Sequence, residues 1–262
     1  MATTEADSSI RALELAGFAS WPAADTVKDG EWLIRLSPHL PYKRTNSINC
    51  LDAADNAAIA PRLARAMTVF AARGVQPTLR ATPLTPPELA AACSTGGWSG
   101  PYSQTAVMTA PLQSAFNHGD FEIFDEPAPQ WIADYMALTM DRTIDATAIT
   151  RTLSAIEKPV RFFRVAAPDQ CLGVAVAVIQ GPLVGLFGLT VAKAARRTGL
   201  GRALSHAALA WGADQGAGTA WLQVETGNIP ARRLYEALGF AERYRYAYHS
   251  FNTASDQAGQ IE

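Results

Sequence analysis

Cysteine and histidine are scarce in this chain of 262 residues, which has three of the first and four of the second. Cys50, Cys93 and Cys171 are odd in number, far apart and each set in an apolar context. That disposition suits small buried hydrophobes in a reducing compartment better than a thiol nucleophile or a metal site. His39, His118, His206 and His249 are equally scattered and make no metal-ligand spacing, so no metal is expected. Charge is sparse too. Charged residues are 18% of the chain and the net charge is −2, which gives no global attraction to nucleic acid and confines any cationic function to a local patch. The stretch 1–9 is polar and acidic, lacking the basic start and apolar core of a signal peptide. Residues 171–192 carry no charge, but Gln180-Gly181-Pro182 breaks the run and its halves are rich in valine and glycine. Two buried strands joined by a turn explain it better than a membrane helix. The expectation is a cytoplasmic protein with neither a membrane nor a nucleic acid as partner, acting as a monomer or homodimer.

What is present is core material. Hydrophobic residues make up 48% of the sequence, and the length fits two domains of roughly 100–150 residues each. In the first half, a helical pattern at 9–18 is followed by strand patterns at 31–36 and 44–51. A helix that Pro61 would start near Ile59 or Ala60 runs to Arg73, where Gly74 stops it. A strand at 77–82, a helix at 88–94 and a strand ending at Met108 complete that half. The second half repeats the order. Gly216 follows its long helix as Gly74 follows the first, and Phe240 stands where Trp98 stands, at the same separation. Identity between the halves is faint, so the repeat is one of pattern. It predicts an α/β (α+β) protein of two units, 1–112 and 118–262, with a junction near Pro111 to Gly119. In the second half, Trp131, Ile132, Tyr135, Met136 and Met140 fall at helical spacing, and Tyr244, Tyr246 and Tyr248 alternate on one face of a closing strand. The polar stretch after Phe251 reads as a disordered tail.

The chemistry concentrates between Leu189 and Phe240. An apolar strand, Leu186 to Val191, leads into Arg196-Arg197-Thr198-Gly199-Leu200-Gly201-Arg202 and then an alanine-rich helix. A glycine turn at a strand-to-helix junction can aim several backbone N–H groups at one anion, aided by the helix dipole. The flanking arginines add bidentate phosphate contacts. Tight glycine packing at a helix start is the alternative. The turn lacks the third glycine and acidic residue of a dinucleotide fingerprint, and no Gly-Lys-Ser/Thr ends it as in a nucleotide P-loop. A strand at 219–225 follows, and then Asn228-x-x-Ala231-x-x-Leu234-Tyr235-x-x-x-Gly239-Phe240.

The turn and this later motif, in that order, resemble the GNAT superfamily of acetyl-CoA-dependent N-acetyltransferases. The resemblance covers roughly 121–251. The first half resembles the degenerate partner domain of two-domain bacterial members. It lacks a glycine turn, with Arg44-Thr45-Asn46-Ser47 read as preceding its long helix, and Arg44 and Asn46 are the polar residues to watch there. The resemblance implies two GNAT-like units, each a central mixed, mostly antiparallel sheet flanked by helices. It also implies acetyl-CoA as co-substrate, held by Leu189, Thr190 and Val191 along the pantetheine arm. Arg196, Arg197, Thr198, Gly199, Leu200, Gly201 and Arg202 would hold the pyrophosphate. Asn228 would touch the cofactor arm or cap its helix. The strand 219–225 would splay from Leu189–Val191 to open the cleft.

Under that resemblance Tyr235 is the acid that protonates the departing thiolate, and a backbone N–H such as that of Val191 steadies the oxyanion. Glu225 is the candidate base, with a solvated strand-end carboxylate as the alternative. Trp131, Tyr135, Asp141 and Arg142 belong to the helical region that shapes the acceptor site in relatives, although most of that stripe reads as core. The three tyrosines of the closing strand read as packing. The expected acceptor is a small-molecule primary amine. The rivals are a protein N-terminal or lysine acetyltransferase and a non-catalytic acyl-CoA sensor.

Overall fold

The computed structural model describes residues 5–95, 97–112, 121–139 and 145–252. In chain order the helices are α1 (Glu5–Ser20), α2 (Ile59–Ala71), α3 (Pro87–Thr95), α4 (Pro129–Thr139), α5 (Ala146–Ser154), α6 (Leu200–Asp214) and α7 (Ile229–Glu236). The strands are β1 (Asp25–Asp29), β2 (Trp32–Leu36), β3 (Ser47–Cys50), β4 (Thr78–Ala81), β5 (Trp98–Pro111), β6 (Glu122–Phe124), β7 (Val160–Ala167), β8 (Gln170–Gln180), β9 (Leu183–Val191), β10 (Thr219–Glu225) and β11 (Ala241–Phe251). The run β3-α2-β4-α3-β5 recurs as β9-α6-β10-α7-β11, which is the repeat that the two glycines and two aromatics mark.

The chain divides into two compact units, and not by a cut between 112 and 118. Residues from Tyr244 onward group with the N-terminal unit, and Ala16–Pro22 group with the C-terminal one. The reason is strand pairing. In β11, Ala247 to Ser250 lie antiparallel to Thr78 to Ala81 of β4, a partner far away in sequence. Of the stretch expected to join the two halves, 113–119 lie outside the described residues, as do Met140, Asp141, Arg142 and the polar stretch after Asn252.

The N-terminal unit orders its strands β1-β2-β3-β4-β11-β5. Strands β3 and β4 are parallel, as a strand–helix–strand crossover through α2 demands. One face of this sheet is apolar. Trp32, Ile34 and Leu36 of β2, Ile48 and Cys50 of β3, and Leu79 of β4 pack against Ala66 and Phe70 of α2 and Leu89 and Cys93 of α3. Each fully buried Phe or Leu there contributes roughly 1.5–3 kcal/mol. Burial pushes the Cys93 thiol up to about 12 and the Cys50 thiol higher, so both behave as hydrophobes.

The other face is polar. Register places Arg35 opposite Ser47, Arg80 opposite Tyr248 and Thr78 opposite Ser250. Glu14 of α1 is buried over this face and bonds both the Arg80 guanidinium and the Tyr244 hydroxyl. The Arg80 guanidinium also lies 3.6 Å from the Tyr246 ring centroid. The tyrosines of β11 are therefore packing residues.

The stretch Arg44–Ser47 does not precede the long helix, because β3 intervenes. It forms a 3-10 turn (Lys43–Thr45) and the start of β3. Asn46 uses its side chain on the amide of Ser37 and the carbonyls of Ser37, Leu40 and Tyr42, which pins the loop. The turn that enters α2 is 51–58, and it carries Asp52 and Asp55.

The C-terminal unit orders its strands β5-β10-β9-β8-β7-β6. Val174 to Val178 of β8 are wholly buried, which explains the continuous apolar run: both faces of the strand are covered. Trp131 stacks on Tyr135 at 5.3 Å and donates its indole N–H to the Phe163 carbonyl, so the aromatic stripe of α4 is core.

Candidate active site

The parallel ladder between β9 and β10 runs from Thr219 opposite Leu183 to Leu222 opposite Leu186, and there it ends. Beyond that point Gln223 to Glu225 and Leu189 to Val191 have no register with one another, so the two strands part. On its other side β9 stays paired, with Thr190 opposite Val174 and Val191 opposite Gly173 of β8. A register shift interrupts this pairing between Val174 and Val176, where two β9 residues face one of β8. Gly188 sits in that bulge at φ +58, a conformation side chains resist, and a methyl group there would stand 3.3 Å from the Tyr135 ring. The bulge re-aims Leu189 to Val191 out of the ladder. It was missed in the sequence, although a glycine inside a strand is its usual signal.

After Val191 the chain makes a short 3-10 turn (Lys193–Ala195) and enters α6. Arg197 (φ +64) and Gly199 (φ +92) are both left-handed, and Gly199 is the N-cap with no side-chain cap. The first-turn N–H groups of Leu200, Gly201 and Arg202 have no acceptor among the described residues, and the helix N-terminus adds partial positive charge. By contrast Asn228 caps α7, its side-chain oxygen accepting from the Ala231 amide at 3.2 Å, and Asp145 caps α5. Asn228 thus caps its helix, one of its two expected roles.

Arg196, Arg197 and Arg202 are exposed. They are not equivalent. Arg196 turns back to donate from Nε to the Val191 carbonyl at 3.2 Å, bracing the loop, while Arg202 donates from Nε to His206 Nε2 at 3.3 Å one turn along α6. The His206 imidazole is pushed down by burial and by Arg202, which keeps it neutral and able to accept. Thr198 closes the turn through its hydroxyl on the Ala195 carbonyl at 2.8 Å.

Helix α7 brings in Tyr235. A methyl group on Gly201 would lie 3.5 Å from Leu234 Cδ2 and 3.7 Å from Val191 Cγ2, so the start of α6, the end of β9 and α7 meet at one point. The Tyr235 side chain is buried, edge-on to Phe240 at 5.9 Å, and burial pushes its phenol up to about 12. Its hydroxyl has no hydrogen-bond partner among the described residues. Glu225 ends β10 at the open side of the splay, exposed, with no side-chain partner among those residues. The residues expected to hold the cofactor or move protons, from Leu189 to Tyr235, therefore all lie in the C-terminal unit. Asp141 and Arg142, expected near the acceptor, lie outside the described residues.

Among the described residues no group of three or more His, Cys, Asp or Glu side chains is disposed to hold a metal ion. No described helix is long and apolar enough to cross a membrane.

A parallel strand pair that parts, followed by a helix that starts on glycine without a side-chain cap, is the arrangement these residues build. The family model described as "Probable histone acetyltransferase Rv0428c C-terminal" matches residues 7–249. The chain belongs to that family, within the GNAT superfamily of N-acetyltransferases, and is an acyltransferase. Solved structures agree in fold. A GCN5-related N-acetyltransferase from Kribbella flavida superposes with a TM-score of 0.69 at 16% identity, over 98% of this chain and 99% of that one. A tandem GNAT protein from the clavulanic acid biosynthesis pathway gives 0.63 at 13% identity, over 92% and 88%. A GNAT-family acetyltransferase structure from Novosphingobium aromaticivorans gives 0.58 at 18%, over 90% and 96%. No curated protein matches in sequence.

Proposed function

We propose that the C-terminal unit transfers the acetyl group of acetyl-CoA to a primary amine by direct attack, and that the N-terminal unit is a degenerate partner that does not catalyse. The observation that carries this reading is the end of the β9–β10 ladder at Leu222 and Leu186, after which the β9 edge continues to Val191 beside the uncapped start of α6. The freed edge of Leu189, Thr190 and Val191 takes the amides of the pantetheine arm as an added strand would. The pyrophosphate lies on the N–H groups of Leu200, Gly201 and Arg202, with Arg197 and Arg202 supplying charge and Arg196 and Thr198 holding the loop in shape.

The amine nitrogen attacks the thioester carbonyl carbon, and the C–S bond breaks as the tetrahedral intermediate collapses. The ammonium proton leaves to Glu225, directly or through water, and a proton reaches sulfur from the Tyr235 side. A phenol at about 12 is a weaker acid than a thiol near ~8.5. Tyr235 therefore acts first as a hydrogen-bond donor to the developing thiolate, and completes the proton transfer only as solvent replaces its proton. The products are the N-acetyl amine and CoA thiol, and atoms and charge balance without a covalent enzyme intermediate.

The acceptor read from the sequence is a small amine. A protein lysine is the second reading, and the likeness to a family described as a probable histone acetyltransferase favours it. Release of free CoA from acetyl-CoA, followed against small amines, amino acids and lysine peptides, separates the two. Turnover with a small amine supports the first reading and turnover only with peptides the second. Tight acetyl-CoA binding with no turnover on any acceptor would sink the catalytic reading in favour of a sensor.

A further inference from the structure

The bulge in β9 bears on the length of acyl chain that the cleft admits. With the pyrophosphate at the start of α6, the arm of the cofactor begins beside Val191, whose Cγ2 is 3.7 Å from the place of a methyl group on Gly201. The arm then runs back along β9 from Val191 to Leu189, and its thioester end comes to Gly188, the next residue in line. Farther back the strands are closed against it, since β9 and β10 are paired from Leu186 and Leu222 downward. The acyl chain is therefore turned out of the sheet at the bulge.

An aromatic ring stands there. A methyl group on Gly188 would lie 3.3 Å from Tyr135 Cε2 and 3.9 Å from Val176 Cγ2, so the ring is laid against the strand with no room between. Nor is it free to swing away. It is stacked on Trp131 with 9° between the planes, and Trp131 is wholly buried, edge-on to Phe162 at 5.1 Å and tied to the Phe163 carbonyl at 2.9 Å. The strand side is braced as well, because the Thr190 hydroxyl donates to the Gly188 carbonyl at 3.2 Å. Phe187, just before the bulge, fills the neighbouring space edge-on to Trp221 at 5.2 Å. Close-packed rings of this kind do not yield to added methylenes without cost.

We propose that Tyr135 is the specificity-determining residue for the acyl donor: its ring, held against Gly188, ends the acyl slot after acetyl and excludes longer acyl-CoA thioesters. The inference rests on the cofactor reading given above and deepens it, since it assigns the acyl preference to one side chain of α4. Tyr135 acts here through the volume of its ring and takes no part in proton transfer.

The test needs no acceptor. CoA, acetyl-CoA and butyryl-CoA are titrated by calorimetry into the full chain and into Tyr135→Ala and Tyr135→Phe. The parent is expected to bind CoA and acetyl-CoA alike and butyryl-CoA about tenfold or more weakly. Tyr135→Ala closes that gap, measured as the ratio of butyryl-CoA to CoA affinity, and Tyr135→Phe keeps it, because the ring and not the hydroxyl is the barrier. Should the alanine variant not fold, as judged by circular dichroism, Tyr135→Leu keeps apolar volume without the ring and narrows the gap in the same direction. Equal affinities for the two thioesters in the parent, a gap that persists when the ring is removed, or a gap lost in Tyr135→Phe overturns the proposal. Failure of CoA itself to bind the parent would overturn the cofactor reading and this inference with it, and is told apart because all three ligands then fail together.

Discussion

The strand–helix–strand unit occurs twice in this chain, and its two turns carry opposite charge. At β9–α6 the turn offers Arg196, Arg197 and Arg202 and a row of unpaired N–H groups. At β3–α2 the corresponding turn offers Asp52 and Asp55, beside a depression of about 610 Å³ that they line with Lys28, Gly30, Glu31 and Ala54. Asp55 is turned inward to the buried Arg62 guanidinium at 2.8 Å and also accepts the Glu31 amide, and these bonds hold its carboxyl below its ordinary range. The geometry of a helix start is common to both turns. The chemistry is not, since a pyrophosphate at the second turn would meet carboxylates where the first presents guanidiniums. The difference teaches that this fold provides the cradle, and local charge decides whether an anion is welcome.

The largest effect is expected at Tyr235. In Tyr235→Phe, kcat falls about 10²–10⁴-fold, while acetyl-CoA affinity measured by calorimetry stays near that of the parent. A loss confined to affinity would mean the hydroxyl only packs. Next is the polar face of the N-terminal unit, where Glu14→Gln removes the carboxylate that the buried Arg80 guanidinium and the Tyr244 hydroxyl bond. Stability falls by about 3–5 kcal/mol, read from urea unfolding, and a change below about 1 kcal/mol would show the pair to be replaceable. The turns themselves are compared by charge reversal. Arg197→Asp copies the acidic turn, and aspartate tolerates the left-handed backbone there. It weakens CoA binding at least about tenfold and flattens its salt dependence, whereas Asp52→Ala leaves CoA binding unchanged. The smallest effect is at His206. Its neutral ring accepts from Arg202, so acid that protonates it breaks that bond. CoA affinity then drops a few-fold, by about 1 kcal/mol, as pH falls below the ordinary histidine value near ~6.5, and His206→Ala abolishes that acid-side drop.

Much of the C-terminal unit was legible because its signals are local. The strand 219–225, the glycine at the start of α6 and the capping asparagine of α7 each declare themselves within a few residues. The same holds for the start of α2 at Ile59, which Pro61 fixes. What was not legible depends on partners distant in sequence. The β9 bulge at Gly188 becomes visible only against the β8 register. The strand at 44–51 was legible, and its core Ser47–Cys50 is present; the assignment of Arg44–Ser47 to the approach of the long helix failed because that strand itself stands between them. Strand β1, Asp25-Thr26-Val27-Lys28-Asp29 at the sheet edge, has a single apolar residue and so offers no apolar periodicity. The inward turn of Arg196 onto the Val191 carbonyl is likewise a tertiary matter.

The pairing of β11 with β4 also sets a schedule. A ribosome delivers β4 long before it delivers Tyr244 to Ser250, so the N-terminal unit waits with an open strand edge, and with Arg80 and Glu14 lacking their tyrosines, until the C-terminal unit has emerged. The unit begun first is thus finished last. Expressing residues 1–112 alone would release that unfinished edge permanently, and a soluble half-protein is not to be expected from this chain by truncation.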